Sequence, residues 1–204
     1  MANGEPFDLP AFMLSRFNRV DFGGNLFDQW PVGLRFEIGI EQLARAAKLY
    51  EFAFAKADVC ILVSQDWTEG EEIVIQSTPL FATPGIFLSD PTHFQSVEIT
   101  PFDETPYRLT WIRLSPLGFN AAHMFRAIAN REQDGVPKVS SGVFVVDPQS
   151  KVIMHMYDDR GIDIVAAELN TLRPLFENFA DWILENQRHR IESRFRTPAG
   201  EPTA

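Results

Sequence analysis

Residues 142–166, GVFVVDPQSKVIMHMYDDRGIDIVA, hold three apolar runs separated by two short polar breaks, DPQS and DDRG. Each run is too short for a helix. Each break is rich in residues that turn a chain: Asp side chains bond nearby backbone amides, Pro fixes φ, and Gly reaches conformations closed to other residues. Three strands joined by two tight turns form a meander. A chain with a meander is committed to antiparallel pairing over that stretch. The spacing predicts strands near 151–157 and 162–166, with DDRG as the turn and Gly161 at positive φ.

Other segments arrange themselves around this unit. GLRFEIG alternates Leu34, Phe36 and Ile38 with Arg35 and Glu37, the period of a strand. EQLARAAKLYEFAFAKAD, residues 41–58, places Leu43, Ala46, Tyr50, Phe54 and Ala57 at helical spacing among strong helix formers. It runs into VCILVS, an apolar run suited to a central strand. YRLTWIRLS predicts another strand, and GFNAAHMFRAIANREQDG a helix with Asn120 as its N-cap. Residues 167–195 carry a long helical stripe that Pro174 should interrupt. PAFMLSRFNRV predicts a short helix and DFGGNLFDQWP a loop. Residues 66–106, with prolines at 79, 84, 91, 101 and 106, predict long loops around a strand at EEIVIQS. The order predicts an α+β fold: a mostly antiparallel sheet with helices packed on one face, ending in a three-strand meander and a C-terminal helix. A single domain is expected over 9–196, with flexible tails at 1–8 and 197–204.

Charge narrows the function classes. The chain has 28 acidic against 18 basic residues, a net charge of −10. Such a chain repels phosphate backbones, so nucleic acid is disfavoured and a basic protein partner is favoured. One stretch departs from the trend: RHRIESRFR, residues 188–196, reads as a helix end or a surface for an acidic groove. No apolar run reaches the ~18 residues of a membrane span. The lone Cys60 sits in an apolar run, and a buried thiol fits a reducing, cytoplasmic setting.

VGLRFEIG, FVVDPQSKVIMHMYDDRGIDIVA and TLRPLFENFADWIL together resemble a bacterial domain-of-unknown-function family, number 3885. The resemblance runs from about residue 30 to residue 190 and is strongest over 143–185. Two positions depart from the family's pattern: Phe176 stands where Tyr is expected, and Ile162 where Cys is expected. The resemblance implies a fold unit and a bacterial source; thiol chemistry at position 162 is not available to this chain.

His155, Asp158, Asp159 and Asp163 are the residue types of a divalent-ion site or of general acid–base work. Turn chemistry accounts for most of DDRG without any site, and explains Asp163 least. Arg35 and Glu37 share one strand face, which reads as a solvated face, with pairing across the sheet or the lining of a cleft as the alternatives. His93, His123, His155 and His189 lack metal-ligand spacing, and no nucleophile elbow, P-loop or dinucleotide fingerprint occurs. The function expected is a non-enzymatic cytoplasmic protein-binding module, specifically an immunity protein neutralising a basic bacterial toxin. Its expected binding residues are Arg35, Glu37, Tyr157, Asp158, Asp159, Arg160 and Asp163, with no cofactor, metal or membrane. The alternative is a metal-dependent hydrolase or nuclease using His155, Asp158, Asp159 and Asp163.

Overall fold

The structure, a computed structural model, describes residues 6–19, 22, 26–30, 32–69, 72–73, 80–86, 94–100, 105–133 and 135–196. The strands are β1 (Gly33–Glu37), β2 (Cys60–Glu69), β3 (Glu72–Ile73), β4 (Gln95–Ile99), β5 (Tyr107–Leu114), β6 (Gly142–Asp147), β7 (Val152–Met156) and β8 (Gly161–Ala166). The helices are α1 (Leu9–Phe17), α2 (Leu26–Gln29), α3 (Leu43–Ala53), α4 (Ala121–Ala129), α5 (Leu169–Phe179) and α6 (Glu185–Phe195). The strands lie in the order β1-β8-β7-β6-β2-β5-β4, with β3 paired to the end of β2. Every pairing is antiparallel. The fold is therefore the α+β class expected, and β6, β7 and β8 are the expected meander.

Both meander turns are held by an aspartate side chain that accepts from a backbone amide two residues on. Asp147 Oδ1 accepts from the Gln149 amide at 2.8 Å, and Ser150 Oγ donates to Asp147 Oδ2 at 2.5 Å. Lys151 then takes φ 57°, a left-handed conformation that closes the turn. In the second turn Asp158 Oδ1 accepts from the Arg160 amide at 2.7 Å.

Because the strand period is two, each strand gives one row of side chains to each face. Leu34, Phe36, Leu62, Val143, Val145, Met154, Ile162 and Ile164 face α3, α4, α5 and α6 and make the larger core. Ile61, Val63, Leu109, Trp111, Phe144, Val146, Ile153 and Val165 face the other way. That second face is covered by the N-terminal segment: Leu9 and Met13 of α1, then Phe22, Leu26 and Trp30. So the long helices pack on one face, and a short N-terminal cap shields the other.

The N-terminal cap explains the first two of three local differences from expectation. Phe7 packs against the second core and its carbonyl accepts from Trp111 Nε1 at 2.9 Å, while Asp8 caps α1 by accepting from the Ala11 amide. Both residues were assigned to the flexible tail; residues 1–5 and 197–204 of the expected tails lie outside the described residues. DFGGNLFDQWP, read as loop, contains α2, because Leu26 and Phe27 are fully buried there. Lastly, α5 runs through Pro174, and the chain breaks instead at residues 180–184, before α6. Of EEIVIQS only Glu72–Ile73 is described, as β3.

A candidate binding cleft

Register lines up one row of residues across the second face. Arg35 of β1 stands opposite Asp163 of β8, Asp163 opposite His155 of β7, and His155 opposite Phe144 of β6. The row continues through Val63 and Trp111 to Gln95. Its middle is apolar and lies under the N-terminal cap. Its β1 end is polar and opens into a cleft.

That cleft has a volume of about 420 Å³ and is lined by Leu26, Arg35, His155, Tyr157, Arg160, Asp163 and Leu184. Five of the residues expected from the sequence thus converge there. Asp163 is 1% exposed and takes both arms of a guanidinium fork, from Arg35 Nε at 2.7 Å and Arg35 Nη2 at 2.8 Å. The Phe27 amide of α2 donates to the same carboxylate at 3.2 Å. Arg35 also lies over the Phe27 ring at 4.8 Å and the Tyr157 ring at 5.3 Å. It is not on a solvated face, because α2 and the β7–β8 hairpin cover it. Alternation places a side chain on one side of a sheet but does not say what lies above it.

The remaining acids are drawn elsewhere. Asp158 is 3% exposed and pairs through Oδ2 with Nε of Arg160 at 2.7 Å, and also with its Nη2. It supports the turn and holds Arg160 at the mouth of the cleft. Asp159 points away and accepts from Gln133 Nε2 at 3.2 Å. Glu37 is exposed at the end of β1 and lies outside the cleft lining. Among the described residues no three His, Cys, Asp or Glu side chains gather as a group able to hold a metal.

Gly161 begins β8 and does not have the positive φ expected for it. Its requirement for glycine has another source. A Cβ there would overlap the Tyr157 hydroxyl, which lies directly over the Gly161 backbone. Glycine lets the Tyr157 ring fold back along the hairpin to form a wall of the cleft. Burial pushes the Tyr157 phenol up to about 12, and the nearby Asp163 carboxylate adds to the shift.

His155 stacks on Phe144 with ring centroids 4.2 Å apart, and its Nδ1 lies 2.8 Å from the Val143 carbonyl. A carbonyl only accepts, so Nδ1 carries the hydrogen and Nε2 keeps its lone pair. Burial lowers the His155 pKa below its ordinary 6.5. Above that ordinary value the ring is neutral in both the folded and the unfolded chain. As pH falls below it, the unfolded chain gains a proton the folded chain resists, so stability drops toward the lowered folded pKa. The His155→Gln variant should therefore lose less melting temperature than the parent between about pH 7.5 and about pH 5.5. Equal losses in the two proteins would assign the slope to other groups.

Several contacts around the cleft were not visible in the sequence. Asp28 of α2 lies 3.9 Å from Arg35 Nη1 and 2.5 Å from Arg190 Nη1. Arg190 also lies over the Phe27 ring, at 4.8 Å. The RHRIESRFR stretch is thus tied into the fold: Arg188 binds Glu185 and the Ala180 carbonyl, and Arg196 binds Glu192. Cys60 is fully buried, which pushes its thiol up to about 12 and away from nucleophile chemistry.

An α+β protein with a meander, a capped second face and a charge-balanced cleft at the β1–β8 edge is the class these observations define. The chain belongs to the family described as domain of unknown function DUF3885, whose sequence profile matches residues 9–187. It is similar to the uncharacterized protein YnaE of Bacillus subtilis (strain 168), with 22% identity over 211 residues, covering 87% of this chain and 98% of that protein. No solved structure matches the chain. Among the described residues no helix is long and apolar enough to cross a membrane.

Proposed function

We propose that this chain is a non-enzymatic cytoplasmic binding module for a basic protein, and that an immunity protein bound to a toxin is its specific form. One observation carries the reading: an aromatic ridge on the outer side of α3 and α5. Phe52 is 39% exposed and meets Phe179 edge-on at 5.2 Å, and Phe179 meets Trp182 at 4.8 Å. Exposed Glu51, Glu177 and Asp181 neighbour these rings along the chain, and the counter-charges on α3 are the exposed Lys48 and the half-buried Arg45, which lies 5.3 Å over the Trp182 ring. Aromatic anchors with an acidic rim are what a basic partner engages. The alternative, a metal-dependent hydrolase or nuclease, draws less support, because Asp158, Asp159 and Asp163 are each held by a different residue.

The test begins with cross-linked co-purification from the bacterial host to identify the partner, followed by surface-based kinetics on the purified pair. Exposed charges are screened beyond about 8 Å at physiological salt. The association rate should fall by about tenfold or more from low to high salt, with a smaller change in dissociation. Phe52→Ala should raise the dissociation rate. A salt-independent association rate removes the electrostatic part. Dissociation unchanged in Phe52→Ala removes the ridge.

A further inference from the structure

The cleft at the β1–β8 edge lies on the opposite side of the sheet from the aromatic ridge, and what it would hold does not depend on the protein-partner reading. Its volume of about 420 Å³ falls in the range of small-molecule sites, roughly 300–1,000 Å³. The chemistry of its wall limits the occupant.

Charge is the first limit. Both arginines of the wall are already matched by buried carboxylates, Arg35 by Asp163 and Arg160 by Asp158. The cleft therefore offers no surplus positive charge to an anion, and the net charge of −10 on the whole chain repels one. A cation would have to compete with two guanidinium groups for the same carboxylates. An uncharged ligand meets neither obstacle.

Hydrogen bonding is the second limit. His155 and Tyr157 both line the cleft, with ring centroids 6.2 Å apart. The Val143 carbonyl occupies His155 Nδ1, so Nε2 is the polar atom that the ring has left to present, and it is an acceptor. The Tyr157 hydroxyl sits over Gly161 and can donate as well as accept, so it supplies the donor that the His155 ring lacks. Neither His155 Nε2 nor the Tyr157 hydroxyl has a hydrogen-bond partner among the described residues. An acceptor beside a donor is the complement of an N–H beside a carbonyl. Leu26 and Leu184 supply apolar walls for the faces of a flat group.

We propose that this cleft binds a small, uncharged, planar ligand presenting an N–H donor next to a carbonyl acceptor, the edge carried by carboxamides and by lactam rings such as nucleobases. The N–H donates to His155 Nε2, the carbonyl accepts from the Tyr157 hydroxyl, and the ring lies between the leucines.

The experiment is ligand-observed NMR and calorimetry on the full chain with uracil, hypoxanthine and nicotinamide as probes. 1,3-Dimethyluracil serves as the probe that keeps the carbonyls and lacks every N–H. Benzoate and inorganic phosphate are the anionic controls. At least one lactam or carboxamide probe should bind. Uracil should bind about tenfold or more tightly than its dimethyl analogue, since a site built to bond an N–H rejects a ligand without one. Tyr157→Phe should weaken the bound probe by about fivefold or more, with an unchanged melting temperature showing that the fold is intact. Comparable affinity for uracil and dimethyluracil overturns the role of His155, and does so on the unmodified protein. Binding of benzoate or phosphate in preference to the lactams overturns the neutral-ligand assignment. Failure of every amide-type probe to bind overturns the proposal.

Discussion

Replacing Arg35 by Met should lower the unfolding free energy by about 3–5 kcal/mol, the usual cost of removing one partner of a buried ion pair. Arg35 is 13% exposed through its side chain and Asp163 1%, so the abandoned carboxylate is left largely desolvated. The loss removes two charge-assisted hydrogen bonds, at 2.7 and 2.8 Å, and leaves only the Phe27 amide at 3.2 Å. Arg35→Lys should recover little, because a point charge cannot make the two parallel bonds of a fork. The double variant Arg35→Met with Asp163→Leu should recover most of the loss, since it removes the buried charge together with its partner. Urea denaturation of the set measures this. A loss below about 1 kcal/mol in Arg35→Met would mean that water reaches Asp163 and that the pair behaves like a surface bridge.

Phe144→Ala should cost a similar amount, about 3–5 kcal/mol. Phe144 is 3% exposed and sits in a three-ring stack, with Phe22 at 4.1 Å on one side and His155 at 4.2 Å on the other. Truncation leaves a void between the N-terminal cap and the sheet, under rings fixed by other contacts. Phe144→Leu should cost clearly less. The loss should be accompanied by an upward move of the His155 pKa toward its ordinary value, because burial is the main cause of its lowering. NMR titration of the imidazole reads that shift. A full-size stability loss with the His155 pKa unmoved would show that the stack contributes packing but does not dry the ring.

The parts of the fold that were legible in the sequence are those written in local chemistry. DPQS and DDRG announce their turns because the aspartates that cap them lie two or three residues from their partners. Asn120 announces α4 in the same way, by accepting from the His123 amide. The site was half legible. Asp163 stood out as the acid that turn chemistry explains least, and it lines the cleft in the grip of Arg35. Arg35 falls on the correct strand, but the sequence favours a solvated face over the cross-sheet pair and cleft wall that it forms, because its partner is 128 residues away. Leu26 and Asp28 carried no signal, and Arg190 only that of a basic stretch, since each matters only once α2 is laid against β8 and α6. Pro174 misled for a related reason. Propensity disfavours proline within a helix, but Leu172, Leu175 and Phe176 bury a continuous face there, and tertiary packing holds the helix through it.

The pairing of β1 with β8 has a consequence for how the protein is made. Arg35 leaves the ribosome 128 residues before Asp163. At about 5–20 residues per second, that interval is on the order of ten seconds. Throughout it β1 has no strand to pair with, and Arg35 has neither its carboxylate nor the hairpin that supplies Tyr157. The β6–β7–β8 unit closes through short loops, but joining β1 to it requires the longest loop closure in the sheet. The cleft is therefore a late product of synthesis. A nascent chain stalled before residue 163 has no cleft to offer, so ligand occupancy of this site would report that translation has passed the last strand.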